Sequence, residues 1–340
     1  LWQSNSSQKG GIWPVNWSGC ENIPAVNHPA QVHRDDGYFP RATSILRRVH
    51  DEHLVGLHYG QRALCIGALA PLNYVGTSQH SYARLTPFKR LAHTGKAFEQ
   101  IFFGTREQAD RVLGYVGRLH EQVNGTLPED AGATPAGTPY SALDPELMLW
   151  TVAVIADSAQ TFYELLVRRL SESEREALWQ DYLRFADLFG MPLEHAPHTY
   201  EAFRAYYRTK LASDKMFLTD EARYIGYATA FEIPMPKLAQ PGKALHDLLM
   251  LGSLPRRVRE LYELELTPRQ ATAFRTATRT IRAARRAIPT ALARGENTRS
   301  FDLVARTERR RIERGEPTPQ IREDQPTGIR LPSGGESRAA

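Results

Sequence analysis

Cysteine is almost missing from this 340-residue sequence, which contains only Cys20 and Cys65. Two cysteines are too few for a disulfide framework or for a zinc site built from thiolates. Cys65 stands in an apolar run typical of a protein core, and Cys20 stands in a segment typical of a loop. The scarcity favours an intracellular, reducing compartment, and we expect a cytoplasmic protein.

Long apolar runs are also missing, since no stretch of about eighteen residues is free of charged and polar side chains. The nearest candidate, residues 54–75, contains His58 and Arg62, so it is predicted to be a buried helix that Pro71 ends or kinks. The chain begins at Leu1, and its first residues lack the basic-then-apolar order of a signal peptide. One interpretation of that start is a fragment or a processed form.

Several motifs that define large enzyme classes are absent. The sequence contains no P-loop, no glycine-rich dinucleotide fingerprint, no His-Glu-x-x-His and no Gly-x-Ser-x-Gly. A di-iron bundle needs Glu-x-x-His pairs on two helices, and the nearest fragment is Glu194-His195 in a predicted loop. We interpret His195, His198 and His246 as solvated or structural, because they are scattered along the chain.

Alternating strand patterns of useful length are absent as well, which predicts an all-α fold, a helical bundle. We expect an irregular arm over residues 1–40, one helical domain over residues 41–314 and a disordered tail over residues 315–340. A proline-rich connector is expected over residues 232–242. Caps mark several helix starts: Thr105 with Gln108, Asp144 with Pro145, Ser171 with Glu174, and Thr267 with Gln270. The helix after Asp144, to about residue 170, is apolar nearly all round and is expected at the centre of the bundle.

The net charge of +5 is concentrated in one region. Residues 256–314 contain sixteen arginines, no lysine and seven acidic residues. One interpretation is a module that binds nucleic acid or an acidic membrane. The arginines alternate with alanines and acids as on a solvated helix, and stacking aromatics are missing, so we expect no nucleic-acid partner and no catalytic role here.

One helix carries a histidine on its apolar face. After the cap at Thr105, apolar residues recur at helical spacing, and His120 lies on that stripe. A buried imidazole needs a partner, which is a backbone carbonyl, a carboxylate or a metal. Upstream, Arg90, His93 and Thr94 stand at i, i+3 and i+4 and would share one face of a helical turn. From spacing alone, a hydrogen-bonded core histidine is the commoner role for His120.

An ordered series of short motifs over residues 40–230 resembles the MpaB and rubber-oxygenase (latex-clearing protein) family. It consists of Gly60-Gln61-Arg62-Ala63, Ala70-Pro71, His80-Ser81, Arg90-Leu91-Ala92-His93-Thr94, Phe103-Gly104, Leu119-His120, Val123, Gly125, Gly137-Thr138-Pro139-Tyr140, Asp144-Pro145, Leu149-Trp150 and Gly190-Met191-Pro192. The resemblance implies an all-helical protein with a globin-like core around haem b. It also implies an enzyme that uses molecular oxygen on a small apolar, isoprenoid-like substrate.

Carried over by residue, the resemblance makes His120 the proximal haem ligand and places Arg90 and Thr94 on the distal side. Rubber oxygenases have a lysine between that arginine and threonine, where this sequence has His93. The family's frequent Trp-Val-His pattern is Trp150-Thr151-Val152 here. No counterpart of the catalytic glutamate upstream of the distal arginine is found, so haem binding follows more directly than oxygen activation.

The resemblance therefore predicts a haem-b oxygenase, with Arg90, His93 and Thr94 as the candidate catalytic residues. The rival prediction is a haem protein without turnover, a sensor or a carrier, in which His93 takes the sixth coordination position. A peripheral contact with a membrane and the oligomeric state are left open.

Overall fold

The computed structural model describes residues 37–80, 86–236, 239–316 and 318–319, and helices dominate these ranges. The all-α prediction is confirmed. The α-helices are, in chain order, α1 (Ile45–His50), α2 (His53–Gly56), α3 (Tyr59–Gly67), α4 (Pro71–Gln79), α5 (Pro87–Phe103), α6 (Arg106–His120), α7 (Pro145–Leu166), α8 (Glu172–Leu188), α9 (Tyr200–Ala212), α10 (Asp220–Phe231), α11 (Gln240–Ser253), α12 (Arg256–Leu261), α13 (Pro268–Arg285), α14 (Thr290–Ala293) and α15 (Thr298–Glu313). A short 3-10 helix, Leu193–His195, lies between α8 and α9.

Helix α7 is the central element, as its apolar sequence predicts. The Asp144 carboxylate accepts hydrogen bonds from the backbone N–H groups of Glu146 and Leu147, and Pro145 occupies the first turn. The helix packs against α2, α3, α8 and α13, so it is covered on most sides. It ends at Leu166, a turn earlier than expected.

Helices α5 and α6 form a hairpin. Only Gly104 and Thr105 separate them, and the two helices pack together, so they run antiparallel. Thr105 and Gln108 form the predicted capping box at the start of α6. Phe102 anchors the end of α5 in the core, because its ring lies 5.1 Å from the ring of Phe185 on α8.

The last helix, α15, packs along α5. The Phe301 ring occupies the space beside Gly95, where an added Cβ would lie 2.6 Å from it. The buried Glu99 carboxylate accepts hydrogen bonds from the Asn297 backbone N–H and from the Thr298 hydroxyl. These contacts fix the C-terminal region against the helix that carries Arg90, His93 and Thr94.

A buried carboxylate joins the C-terminal region to the start of the domain. Glu52, which is fully buried, accepts a bidentate pair of hydrogen bonds from Arg285 at 2.7 and 2.8 Å. Arg294 donates a further hydrogen bond to the same carboxylate at 2.6 Å. Bidentate arginine–carboxylate pairs impose a fixed geometry, so they hold the end of α13 against the α1–α2 connection.

A small antiparallel sheet corrects the expectation that strands are absent. Strands β1 (Asn124–Thr126) and β2 (Pro139–Ser141) pair with Gly125 opposite Tyr140. Each strand has three residues, too few to display alternation in the sequence. The Tyr140 ring packs over Gly76 of α4, where an added Cβ would lie 3.3 Å from it.

Several predicted boundaries also differ from the structure. Residues 54–75 were expected to form one buried helix, but they contribute to α2, α3 and α4, and Pro71 opens α4 rather than only ending α3. The connector predicted over residues 232–242 is shorter, because α11 begins at Gln240. Most of the predicted arm, residues 1–36, and most of the predicted tail, residue 317 and residues 320–340, lie outside the described ranges. The domain limits therefore stay predictions.

None of the helices within the described ranges is both long enough and apolar enough to cross a lipid bilayer.

Candidate functional site

His120 is the last residue of α6, and its side chain is half-buried. Its ring stacks on Phe189, with 6.3 Å between ring centroids and 27° between ring planes. Within the described ranges the ring nitrogens of His120 make no hydrogen bond. Burial lowers the pKa of His120 below its ordinary value, so the imidazole is neutral near pH 7. A neutral, oriented imidazole with a free lone pair is the form that binds iron.

Arg90, His93 and Thr94 lie on α5, as the sequence predicts. Arg90 and His93 are half-buried, and Thr94 is exposed. Arg90 lies fourteen positions before Gly104, and His120 lies fifteen positions after Thr105. With a rise of about 1.5 Å per residue, each of the two lies roughly 21–23 Å along its helix from the turn between α5 and α6. The hairpin therefore brings the two helical segments to the same end of the domain.

Helix α3 runs beside this end of α5. The Leu91 side chain lies 3.5 Å from the position that a Cβ at Gly60 would take. The next residue is Gln61, whose side-chain amide oxygen Oε1 is buried and has no hydrogen-bond partner among the described residues. A buried acceptor without a donor destabilises the fold, so this oxygen marks a place where a bound group could donate a hydrogen bond.

His80 and Tyr140 form a fixed pair near the β1–β2 sheet. The Tyr140 hydroxyl donates to the side-chain oxygen Oε1 of Gln79 at 2.6 Å, and it also lies within hydrogen-bond distance of His80 Nε2, at 3.1 Å. Burial lowers the pKa of His80, although a hydrogen bond to the Asn124 backbone acts in the opposite direction. The pair contributes a neutral, directed side chain rather than a charge.

A buried charge network joins α3, α7 and α9, and no local sequence pattern predicts it. Asp157 of α7 accepts a hydrogen bond from Arg62 at 2.8 Å and another from Arg204 of α9. Burial by itself would raise the pKa of Asp157, but the two arginines hold that pKa below its ordinary value. Arg62 also bonds the Ser158 hydroxyl at 2.9 Å. The carboxylate therefore stays ionised and its partners stay fixed.

The start of α5 is capped by a residue from α15. Thr86 provides no side-chain cap, and Glu308 accepts hydrogen bonds from the backbone N–H groups of Phe88 at 3.1 Å and Lys89 at 2.7 Å. Glu308 is 1% exposed, and burial raises its pKa to about 7. Glu308 therefore positions the helix that carries the candidate distal residues.

Two of the remaining histidines are structural. His246 stacks on His58, with centroids 5.1 Å apart, and its Nε2 bonds the Ala230 carbonyl at 3.1 Å. Burial lowers the pKa of His58 to about 3 and that of His246 to about 4. No three His, Cys, Asp or Glu side chains converge for a metal ion among the residues with described positions. A haem iron requires only one axial side chain from the protein.

A family model for the catalytic domain of ER-bound oxygenase mpaB/B′ and rubber oxygenase matches residues 47–283. The chain belongs to this family. The match includes α5 and α6 and therefore all four predicted site residues, and it stops before α14 and α15. The chain thus contains an oxygenase domain of the family, followed by two helices beyond the matched range.

Two mycobacterial proteins are similar to the chain. They are the uncharacterized protein Rv2237 of Mycobacterium tuberculosis and the uncharacterized protein Mb2261 of Mycobacterium bovis. Each is 27% identical over 203 residues, which is 60% of this chain and 76% of the relative. No solved structure matches the chain significantly.

Proposed function

We propose that the chain is a haem-b-dependent oxygenase that uses molecular oxygen to oxygenate or cleave a small apolar, isoprenoid-like substrate. The observation that carries this proposal is His120, a half-buried neutral imidazole that has no hydrogen-bond partner among the described residues. A core histidine normally satisfies its ring nitrogens, as His58 and His246 do. His120 is thus available as an axial ligand.

The residues around His120 fit that role. Phe189 lies beside the ring with nearly parallel planes, so it covers part of one face of the imidazole with an apolar side chain. The hairpin partner α5 carries Arg90, a permanent positive charge, and the hydroxyl of Thr94, which would face the bound haem from this second helix. Bound haem supplies the redox chemistry with oxygen, and the protein determines the axial ligand, the polarity of the pocket and access to it.

Arg90 acts by position and charge. A half-buried guanidinium stabilises a nearby negative charge more strongly than an exposed one does, because the lower local dielectric constant strengthens its electric field. It would stabilise negative charge that develops on oxygen during the reaction. Thr94 is exposed and can donate or accept one hydrogen bond towards an incoming molecule.

The rival function, a haem protein without turnover, is favoured by one observation. His93 is half-buried one turn from Arg90, where rubber oxygenases have a lysine. An imidazole at that place would serve as a second protein ligand if haem were bound, and it would then compete with oxygen for the iron.

The two functions are separated by oxygen uptake. The purified full chain is loaded with haem, checked for a Soret band and titrated with squalene or a similar polyunsaturated alkene in an oxygen electrode. An oxygenase consumes oxygen only when the alkene is present and yields oxygenated or cleaved products. A haem-loaded chain that consumes no oxygen with any such alkene supports the carrier or sensor, and a chain that binds no haem refutes both.

A further inference from the structure

The segment from Leu266 to Gly295, which forms α13 and α14, has an unusual charge distribution. It contains seven arginines and no acidic residue. Three of the arginines are engaged inside the protein: two bind Glu52, and Arg282 donates to the Leu165 carbonyl at 3.1 and 3.0 Å. The other four are exposed and form no ion pair with any described residue: Arg269, Arg275, Arg279 and Arg286.

Three of these free arginines form a stripe. Arg275 and Arg279 of α13 and Arg286, the residue that caps its C-terminus, stand at i, i+4 and i+11, so they share one side of the helix. The neighbouring outward positions of α13 are alanine and threonine, which carry no charge. The outer half of this helix therefore presents positive charge next to a neutral, weakly polar surface.

An apolar corner follows the stripe. Residues 287–293, which comprise the end of the α13–α14 connection and all of α14, contain no charged side chain. Leu292 is 73% exposed, which makes it the most exposed of the large hydrophobic residues in the described ranges, and Ile288 is 43% exposed. Arginines flank this corner in the sequence on both sides, at Arg286 and Arg294.

A shallow apolar groove borders the neutral outward positions of α13, and Arg269 lies at its edge. It runs between α11 and α13, has a volume of about 960 Å³ and is lined in part by Leu245, Leu248, Ala273 and Ala277. Leu245 is itself 42% exposed. The groove leaves apolar surface open to water along α13 from Pro268 to Ile281, and the corner does so beyond the end of the helix.

We propose that this surface, consisting of the outer half of α13 and the corner at residues 287–293, docks on an anionic phospholipid bilayer. Leu292 and Ile288 would enter the boundary between headgroups and acyl chains, and the arginine stripe would contact the lipid phosphates. Exposed apolar side chains next to unpaired arginines are the combination that interfacial membrane binding requires.

Other partners fit this surface less well. Single-stranded nucleic acid is held by stacking on aromatic rings. The one aromatic residue of the segment, Phe274, packs against Gly252, where an added Cβ would lie 2.3 Å from its ring. A nucleic acid would also leave Leu292 in water. A protein partner would be expected to offer a concave pocket or acidic side chains, and it remains an outcome of the test.

Membrane docking would bring the chain to the place where apolar molecules dissolve. The inference does not depend on haem or on His120, because it uses only the charge, exposure and shape of the C-terminal helices.

The test is flotation of the full chain with vesicles of pure phosphatidylcholine and vesicles that contain 30% phosphatidylglycerol. We expect binding to the anionic vesicles that weakens as salt is raised. Arg286→Gln should reduce the partition constant about fivefold, the effect of one basic residue near an anionic surface. Leu292→Glu should reduce it more than tenfold, because it removes apolar burial and adds a repelled charge.

Matched variants control for net charge and for exposure. Arg208 of α9 is exposed and has no ion pair within the described ranges, so Arg208→Gln changes the charge equally at another site. Leu143 is 45% exposed, so Leu143→Glu is the control for Leu292. Both controls should bind vesicles as the unaltered chain does. Equal losses in the controls, no binding to anionic vesicles at low salt, or binding to a 30-nucleotide DNA or a protein instead of vesicles would overturn the proposal.

Discussion

Replacing Glu308 by glutamine should stabilise the protein at pH 8. Glu308 is 1% exposed, and its pKa is raised from 4.5 to about 7, chiefly by burial, although the N–H groups of Phe88 and Lys89 and the Lys89 charge act in the opposite direction. A raised pKa means that the folded state prefers the protonated acid. The contribution is therefore complete below pH 4.5 and is lost as pH rises through about 7. At about 1.4 kcal/mol per pH unit, the loss reaches roughly 3 kcal/mol at pH 8.

Glutamine has the shape of the acid without the charge. Its side-chain oxygen can accept a hydrogen bond from one of the two backbone N–H groups, but its NH2 group cannot accept one from the other. The lost hydrogen bond lowers the gain in stability by about 1 kcal/mol. Glu308→Gln should therefore be about 2 kcal/mol more stable than the unaltered chain at pH 8 and no more stable at pH 5. Urea unfolding followed by circular dichroism at both pH values measures this difference.

Glu313→Gln is the control on the same helix. The Glu313 side chain is 62% exposed in its pair with Arg309, so its removal should change stability by less than about 0.5 kcal/mol at either pH. If Glu308→Gln is less stable than the unaltered chain at pH 8, the anionic cap of α5 stabilises the helix more than burial of the charge costs. That result would refute the reasoning.

Three further predictions concern the charge network, the C-terminus and the candidate distal side. Arg62→Ala leaves the buried carboxylate of Asp157 with one arginine and should cost about 3–5 kcal/mol in urea unfolding, whereas Arg111→Ala, at an exposed pair, should cost less than about 0.5 kcal/mol. Deletion of residues 315–340 should leave the far-ultraviolet circular dichroism and the haem content unchanged, and loss of either would show that these residues dock on the domain. If His93 binds iron, the haem-loaded protein is low-spin and His93→Ala converts it to high-spin, and identical visible spectra would show that His93 is not a ligand.

Caps were the most predictable part of the fold. The boxes at Thr105, Ser171 and Thr267 all form as expected, with the partner three residues later in each case. Both partners of such a box lie within one helical turn, so the sequence contains the whole interaction. The same locality made it possible to predict that Arg90, His93 and Thr94 share a helix and that His120 lies on the next one. That second helix was expected to continue to Gly125, but it ends at His120, and Gly125 belongs to β1.

Long-range polar contacts were not predictable. Glu308 meets Phe88 across 220 positions, Arg285 meets Glu52 across 233, and Arg62 meets Asp157 across 95. No spacing in the sequence connects such partners, because the pairing depends on which helices become neighbours. The arginine-rich region was expected to be a solvated face, yet Arg285 and Arg294 are engaged by one fully buried carboxylate.

The candidate site lies between these cases. The apolar stripe of α6 put His120 on the inward face, and the structure adds that its ring has no hydrogen-bond partner among the described residues. Periodicity could not supply that fact, since it depends on what packs around the ring. The capping of α5 by Glu308 could not be predicted from the sequence either, because Glu308 lies beyond the residues that the family model matches.

The most direct test of the central claim is the haem content of His120→Gly with and without added imidazole. The variant should lose the Soret band while its far-ultraviolet circular dichroism stays helical, and millimolar imidazole should restore the band by replacing the missing ligand. His195→Gly, at an exposed histidine, should retain full haem content without imidazole. Full haem content and an unchanged spectrum in His120→Gly without imidazole would contradict the assignment of His120 as the axial ligand.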